Sequence, residues 1–326
     1  MAAILAATSA GCGLGAGPAP SRIQLTVTRD FGARVLSRSG APRVSGQETV
    51  MSLLLRNENV TTKYGGGFVQ SIGGLSGGQD TGGDPVDWFY YVNGIEAAKG
   101  AAATNVHPGD HVWWDRHDWS QTDDVPAVVG SFPEPFLNGV GGKRLPVRVE
   151  CAEVQGDPCR TVTARLRAVG VPAAVAGIGS GAGRYALQVV VGRWTAVRGD
   201  PSVQGLERGP GASGVYARFA ANGNTLTLLD GKGRSTSTLG AGWGLVAATR
   251  DQQGAIVWVV SGTDEAGTKS AARALSERAL RDRFALATTA AGTAATANGT
   301  PAPPTSTAGA AARGAELSVP APGASR

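Results

Sequence analysis

The eight residues DWFYYVNG, Asp87 to Gly94, constrain the fold most: four aromatic side chains in succession, then Asn-Gly, in a chain that is only 6% aromatic. Side chains alternate along a strand, so Trp88, Tyr90 and Val92 face one way while Phe89 and Tyr91 face the other. The Asn93-Gly94 pair is a turn signal that calls for positive φ. A strand of this kind needs cover on both faces.

The surrounding segments supply one cover. "RIQLTVTRD" alternates Ile23, Leu25 and Val27 and reads as a strand, with a second short strand around Ala33 to Ser37. In "ETVMSLLLRN", Val50, Leu53 and Leu54 recur at helical spacing, which predicts a short amphipathic helix. A glycine-rich loop spans Gly73 to Asp84, and "HVWWDR" forms a further strand after Pro108-Gly109-Asp110. Strand, strand, helix and then more strands is the order of a β-grasp, a mixed sheet wrapped on one helix.

With those motifs in view, residues 22–119 resemble the bacterial domain family similar to the C-terminal domain of transcobalamin and intrinsic factor. The likeness rests on W-x-Y-x-V-N-G at Trp88, Tyr90, Val92, Asn93 and Gly94, followed by G-D-x-V-x-W at Gly109, Asp110, Val112 and Trp114. It implies that Trp88, Tyr90, Val92, Val112 and Trp114 form the core face. Parity then sets Phe89, Tyr91 and Trp113 on the opposite face, where a single helix cannot reach. Burial of a large side chain contributes about 1.5–3 kcal/mol, so something should cover them. Two covers are open: a second domain, or a flat, largely apolar ligand or partner protein. In the carriers that this lobe resembles, the domain closes over cobalamin while a helical barrel holds the other side, and this chain has no such barrel.

At 326 residues the chain has room for a second domain. The fold class expected is therefore α+β: a leader at 1–21, a β-grasp-like domain at 22–120, a linker at 121–144, a second α+β domain at 145–287 and a disordered tail at 288–326. The second domain opens with the strand "PVRVECAEV". A helix in "DPCRTVTARLRAVG" follows, with Asp157 as N-cap and Pro158 in its first turn. Five more strands lead to one long helix from Thr263 or Asp264 through Phe284 and Leu286. Beyond Ala287 the Ala/Thr/Pro composition predicts no buried core.

The three cysteines divide as one plus two. Cys12 follows "AAILAATSAG", which resembles the end of a bacterial lipoprotein signal, and the alternative is a disordered leader with an incidental thiol. Export would place the protein on the cell surface, attached to the membrane only through lipidated Cys12. Cys151 and Cys159 are close enough to form a disulfide, the default in an oxidising compartment.

Catalytic signatures are mostly excluded. "GIGSGAG" at Gly177 to Gly183 leads into a strand, so it lacks the helix N-terminus that holds phosphate, and "LLDGKGRST" reads as a hairpin turn. No histidine lies beyond His117, which rules out a serine or cysteine triad within the second domain. His107, His111 and His117 sit among Asp110, Asp115 and Asp118 at a spacing that fits no standard metal motif, so no metal is assigned. The net charge of +5 is scattered, and the lobe from Asp80 to Asp124 is acidic, which argues against nucleic acid.

The function expected is non-catalytic, with no cofactor. A surface lipoprotein binds a bulky, corrinoid-like nutrient through Phe89, Tyr91, Trp113, His111 and Trp119, passing it to a membrane importer or a companion surface protein. The alternatives are an envelope protein whose aromatic face docks a protein partner, and a metal-dependent hydrolase using the histidines.

Overall fold

The computed structural model describes residues 19–296, apart from positions 182, 184 and 293. It is α+β and contains two principal sheets.

The first sheet is built chiefly from β1 (Gln24–Arg29), β2 (Arg34–Ser39), β5 (Pro85–Val92) and β6 (His111–Asp118), with the two-residue strands Gly78–Gln79 and Ile95–Glu96 also paired to β5, while β3 (Val60–Lys63) and β4 (Phe68–Ile72) belong to a separate three-stranded sheet. The order of the four chief strands is β2-β1-β6-β5, with β1 parallel to β6 and the other pairs antiparallel. The central parallel pair of first and last strands, with one helix across a face, is the β-grasp arrangement expected. That helix, α1 (Val50–Asn57), starts at Thr49, whose hydroxyl accepts the Ser52 N–H while the Ser52 hydroxyl accepts the Thr49 N–H. It buries Val50, Met51, Leu53 and Leu54 against Leu25, Val27, Trp88, Val112 and Trp114.

The second sheet has the order β8-β7-β9-β14-β13-β15-β16. Four strands run parallel: β7 (Val147–Cys151), β8 (Ala173–Gly177), β9 (Leu187–Arg193) and β14 (Ile256–Gly262). Three are antiparallel: β13 (Trp243–Arg250), β15 (Leu286–Thr289) and β16 (Ala294–Thr296). Helices α2 (Asp157–Ala168) and α3 (Glu265–Ala274) pack on one face. The other face is covered by a small sheet of β10 (Ala217–Phe219), β11 (Leu226–Leu229) and β12 (Ser235–Leu239), together with Trp194 and Leu206. The turn between β11 and β12 holds Gly231 and Lys232, so that stretch is the hairpin expected.

Four expectations are corrected. The stretch 121–144 is not a linker: Val129, Phe132 and Phe136 are buried in the core of the second unit, and Val125 and Val128 in the cluster between the two units. The N-cap of α2 is Gly156, with Asp157 and Pro158 in the first turn. The long helix ends at Ala274, because Ser276 accepts the Ala279 N–H and so caps a separate turn, α4 (Glu277–Leu280). Phe284 and Leu286 thus leave helical structure altogether. Finally, the span expected to be disordered from 288 begins with ordered strand, since Thr288 pairs with Gly244 and β16 extends the sheet. The rest of that tail, and Cys12 with the leader, lie outside the described residues.

Cys151 and Cys159 are joined by a disulfide across a sequence separation of 8, tying the end of β7 to the first turn of α2. Closing so short a loop contributes about 2–3 kcal/mol by chain entropy. Replacing both cysteines by alanine is expected to lower the unfolding free energy by that amount in a urea titration. A double variant as stable as the wild type would contradict this.

Candidate functional site

The pleat works as the sequence implies, and it is the second unit that covers the outer aromatic face. Tyr91 and Trp113 are both 0% exposed. They pack with Phe31, Val125, Val128, Tyr216, Leu229 and Phe284, with Phe89 half-buried beside them. Phe284 meets Tyr91 and Trp113 edge-on, at 5.5 and 5.4 Å between ring centroids. Phe89, Tyr91 and Trp113 are therefore corrected from ligand contacts to interunit packing, and this face is not open to a flat ligand. Trp119 is 37% exposed, and its indole N–H donates to Asp87 Oδ2 at 3.2 Å. It too lies apart from any binding cavity lined by His111.

A polar ladder runs along the same face of β6. Asp115, fully buried, accepts the N–H groups of Phe31 and Gly32 at 3.1 and 2.8 Å. It also accepts the Thr28 hydroxyl and, at 2.9 Å, His117 Nδ1. The Trp113 indole N–H donates to the Thr28 oxygen at 2.7 Å. His117 is stacked between Phe31 and Phe89, at 4.6 and 4.4 Å. The turn after β1 is thus fastened to β6 at the point where the units meet. A Cβ on Gly32, which has φ +78°, would stand 2.2 Å from the Asp282 carbonyl oxygen, so only glycine permits this approach.

The two sequence motifs hold each other. Asn93, at φ 56°, donates through its amide to Asp110 Oδ1 at 2.8 Å and to the Gly139 carbonyl at 2.9 Å. Its side-chain oxygen accepts the His111 N–H at 2.9 Å, and Asp110 Oδ2 accepts the His107 N–H at 2.8 Å. This clasp sets the start of β6, and with it His111, beneath a cleft.

The cleft has a volume of about 690 Å³ and opens between the end of the first sheet, the segment from Gly130 to Asn138, and α4. His111 and Thr26 form its floor, with Thr26 Oγ1 2.9 Å from His111 Nε2. Burial, reinforced by the nearby Arg38 charge, pushes the His111 imidazole down to about 4, so the ring is neutral at physiological pH. Arg22, Arg38, Arg144 and Arg281 stand around the opening, and Pro133 and Leu137 form an apolar wall. A neutral donor–acceptor floor, an apolar side and a cationic rim suit a small polar ligand. The histidines do not converge: His107 is beside Asp110, His111 is in the cleft, and His117 is in the interunit core. Among the described residues no group of three or more His, Cys, Asp or Glu is placed to hold a metal ion. Nor, among them, is any helix long and apolar enough to cross a membrane.

Against models of protein families, the span 47–118 matches one described as "Domain of unknown function (DUF4430)". The likeness to that family covers these residues of the first unit. It runs from the start of α1 to the end of β6, so it contains the Asn93-Gly94 and Gly109-Asp110 clasp. The match supplies no link to transcobalamin. The strands β1 and β2 precede the DUF4430 span, although β1 lies against β6 at the centre of the sheet. No curated protein matches the chain, and no solved structure does.

Of the five side chains expected to touch ligand, only His111 lines the cleft. Thr26 and the arginines were missed because they lie on segments far apart in the chain and carry no local pattern. One signal was legible: "VPAVVGSFPEPFL" is too apolar for a solvated linker.

A titrating group lies beside the interface. Glu96 accepts the Val125 N–H at 2.9 Å, and burial, with the Asp124 charge adding, raises its carboxyl to about 8. The folded protein therefore keeps Glu96 protonated at pH values where the unfolded chain ionises it. Stability from this group is complete below about pH 4.5 and is lost as pH rises through about 8. Glu96→Gln should flatten that decline, with a gain of about 2 kcal/mol at pH 8.5 once solvent screening of this partly exposed group is allowed for. Parallel pH–stability curves for the two proteins would count against it.

Proposed function

We propose that the protein is a non-catalytic solute-capture protein, held at the cell surface by lipid on Cys12, whose ligand seat is the cleft between its two units. The observation that supports this reading is the cleft itself, of about 690 Å³ with buried His111 and Thr26 as its floor. Pockets of about 300–1,000 Å³ between domains are the usual seats of small ligands. A flat corrinoid finds no open aromatic plate here, because Tyr91 and Trp113 are spent on packing. The same burial takes away the surface on which a protein partner would dock in the envelope-module alternative. A small solute is therefore the better fit.

The test is to fill the seat. Leu137 lines the cleft and is half-buried, so Leu137→Trp projects bulk into the cavity. Solutes that the wild type retains from a metabolite mixture, read by ligand-observed NMR, should lose at least about tenfold in affinity in the variant, with Leu137→Met as the size control. Undiminished binding to a folded Leu137→Trp protein would overturn the cleft as the seat.

A further inference from the structure

We propose that the cleft selects a small organic acid, with a carboxylate or phosphate head held by Arg22 and Arg144 and an apolar body lying against Pro133 and Leu137. This rests on the cleft being a ligand seat, and it adds the ligand's charge and shape.

The arginines around the opening divide by partner. Arg38 is ion-paired with Asp282, and Arg281 with Glu277 at 2.9 Å. Arg22 and Arg144 form no ion pair among the described residues, and Arg144 donates to the Gly170 carbonyl at 2.7 Å. Two guanidinium groups at one opening, neither neutralised by a carboxylate, are a recognition element for planar or tetrahedral oxyanions, which arginine binds in a bidentate manner.

The remaining acid of the wall does not offset them. Glu134 is 5% exposed, and its carboxyl accepts both the backbone N–H of Asn138, at 2.8 Å, and its side-chain amide. Burial raises its pKa, and both of its oxygens are engaged by Asn138 rather than turned to a ligand. His111, kept neutral, offers a hydrogen bond and neither attracts nor repels charge.

The shape comes from the opposite side. Phe132 is 3% exposed and packs towards Trp258 at 6.1 Å, which leaves the half-buried Pro133 and Leu137 as the apolar surface facing the cavity. A hydrated inorganic ion would leave that surface unused. An acid with an apolar body satisfies both sides.

The experiment is calorimetric titration of the full chain with benzoate, with its uncharged isostere benzamide, and with inorganic phosphate. Benzoate should bind, with benzamide at least about tenfold weaker. Arg22→Gln and Arg144→Gln should each weaken benzoate about fivefold or more and leave benzamide unchanged. Arg218→Gln, on an exposed position of β10 away from the cleft, is the control. Phosphate that competes weakly with benzoate supports a shared oxyanion head. Benzamide binding as tightly as benzoate, or benzoate binding that ignores both arginine variants, overturns the anionic class. If none of the three probes binds, the organic-acid class is overturned, while the Leu137→Trp comparison with other solutes still decides whether the cleft is a seat.

Discussion

Trp113→Ala should lower the unfolding free energy by about 3–5 kcal/mol, the range for removing a fully buried tryptophan. Trp113 is 0% exposed, meets Tyr91 and Phe284 within the interunit core, and gives its indole N–H to Thr28 at 2.7 Å. Truncation therefore opens a cavity between the units and also removes a buried hydrogen bond. Trp119→Ala is the matched control: that ring is 37% exposed and should cost less than about 1 kcal/mol. Guanidinium denaturation followed by fluorescence and by circular dichroism measures both. A Trp113→Ala protein within about 1 kcal/mol of the wild type would mean that the units do not depend on this packing.

Asp115→Ala should be comparably damaging, at about 3–5 kcal/mol, because it strips the partner from several buried donors at once. The Phe31 and Gly32 N–H groups, the Thr28 hydroxyl and the His117 ring all converge on this one carboxylate. Asp115→Asn keeps one acceptor oxygen but turns an amide N–H₂ against the remaining donors, so it should recover only part of the loss. Hydrogen exchange gives a site-resolved check. The Phe31 and Gly32 amides should lose protection in Asp115→Ala, and full protection there would show that the ladder is not what fastens the turn.

The first unit was largely legible in the sequence because its information is local. Alternation along 88–92 and 111–115 assigns the two faces, the spacing of Val50, Leu53 and Leu54 marks α1, and Asn93-Gly94 marks a turn whose side chain then reaches Asp110. What covers the outer face was not legible. Phe284, Tyr216 and Leu229 arrive there from segments far along the chain, and no periodicity encodes which distant residue completes a core. The long-helix expectation failed at Ser276, where one side-chain oxygen competing for a backbone N–H was enough to end the helix. The cleft was harder still, since the meeting of Arg22 and Arg144 at one opening is a property of the folded surface alone.

The run from Val125 to Phe136 has a practical consequence for anyone dividing this protein. An expression boundary at 120 or 145, natural on composition, would tear Val125 and Val128 from one half and Phe132 and Phe136 from the other. Neither piece would be a self-sufficient folding module, and proteases should find few early cuts there despite three prolines in twelve residues.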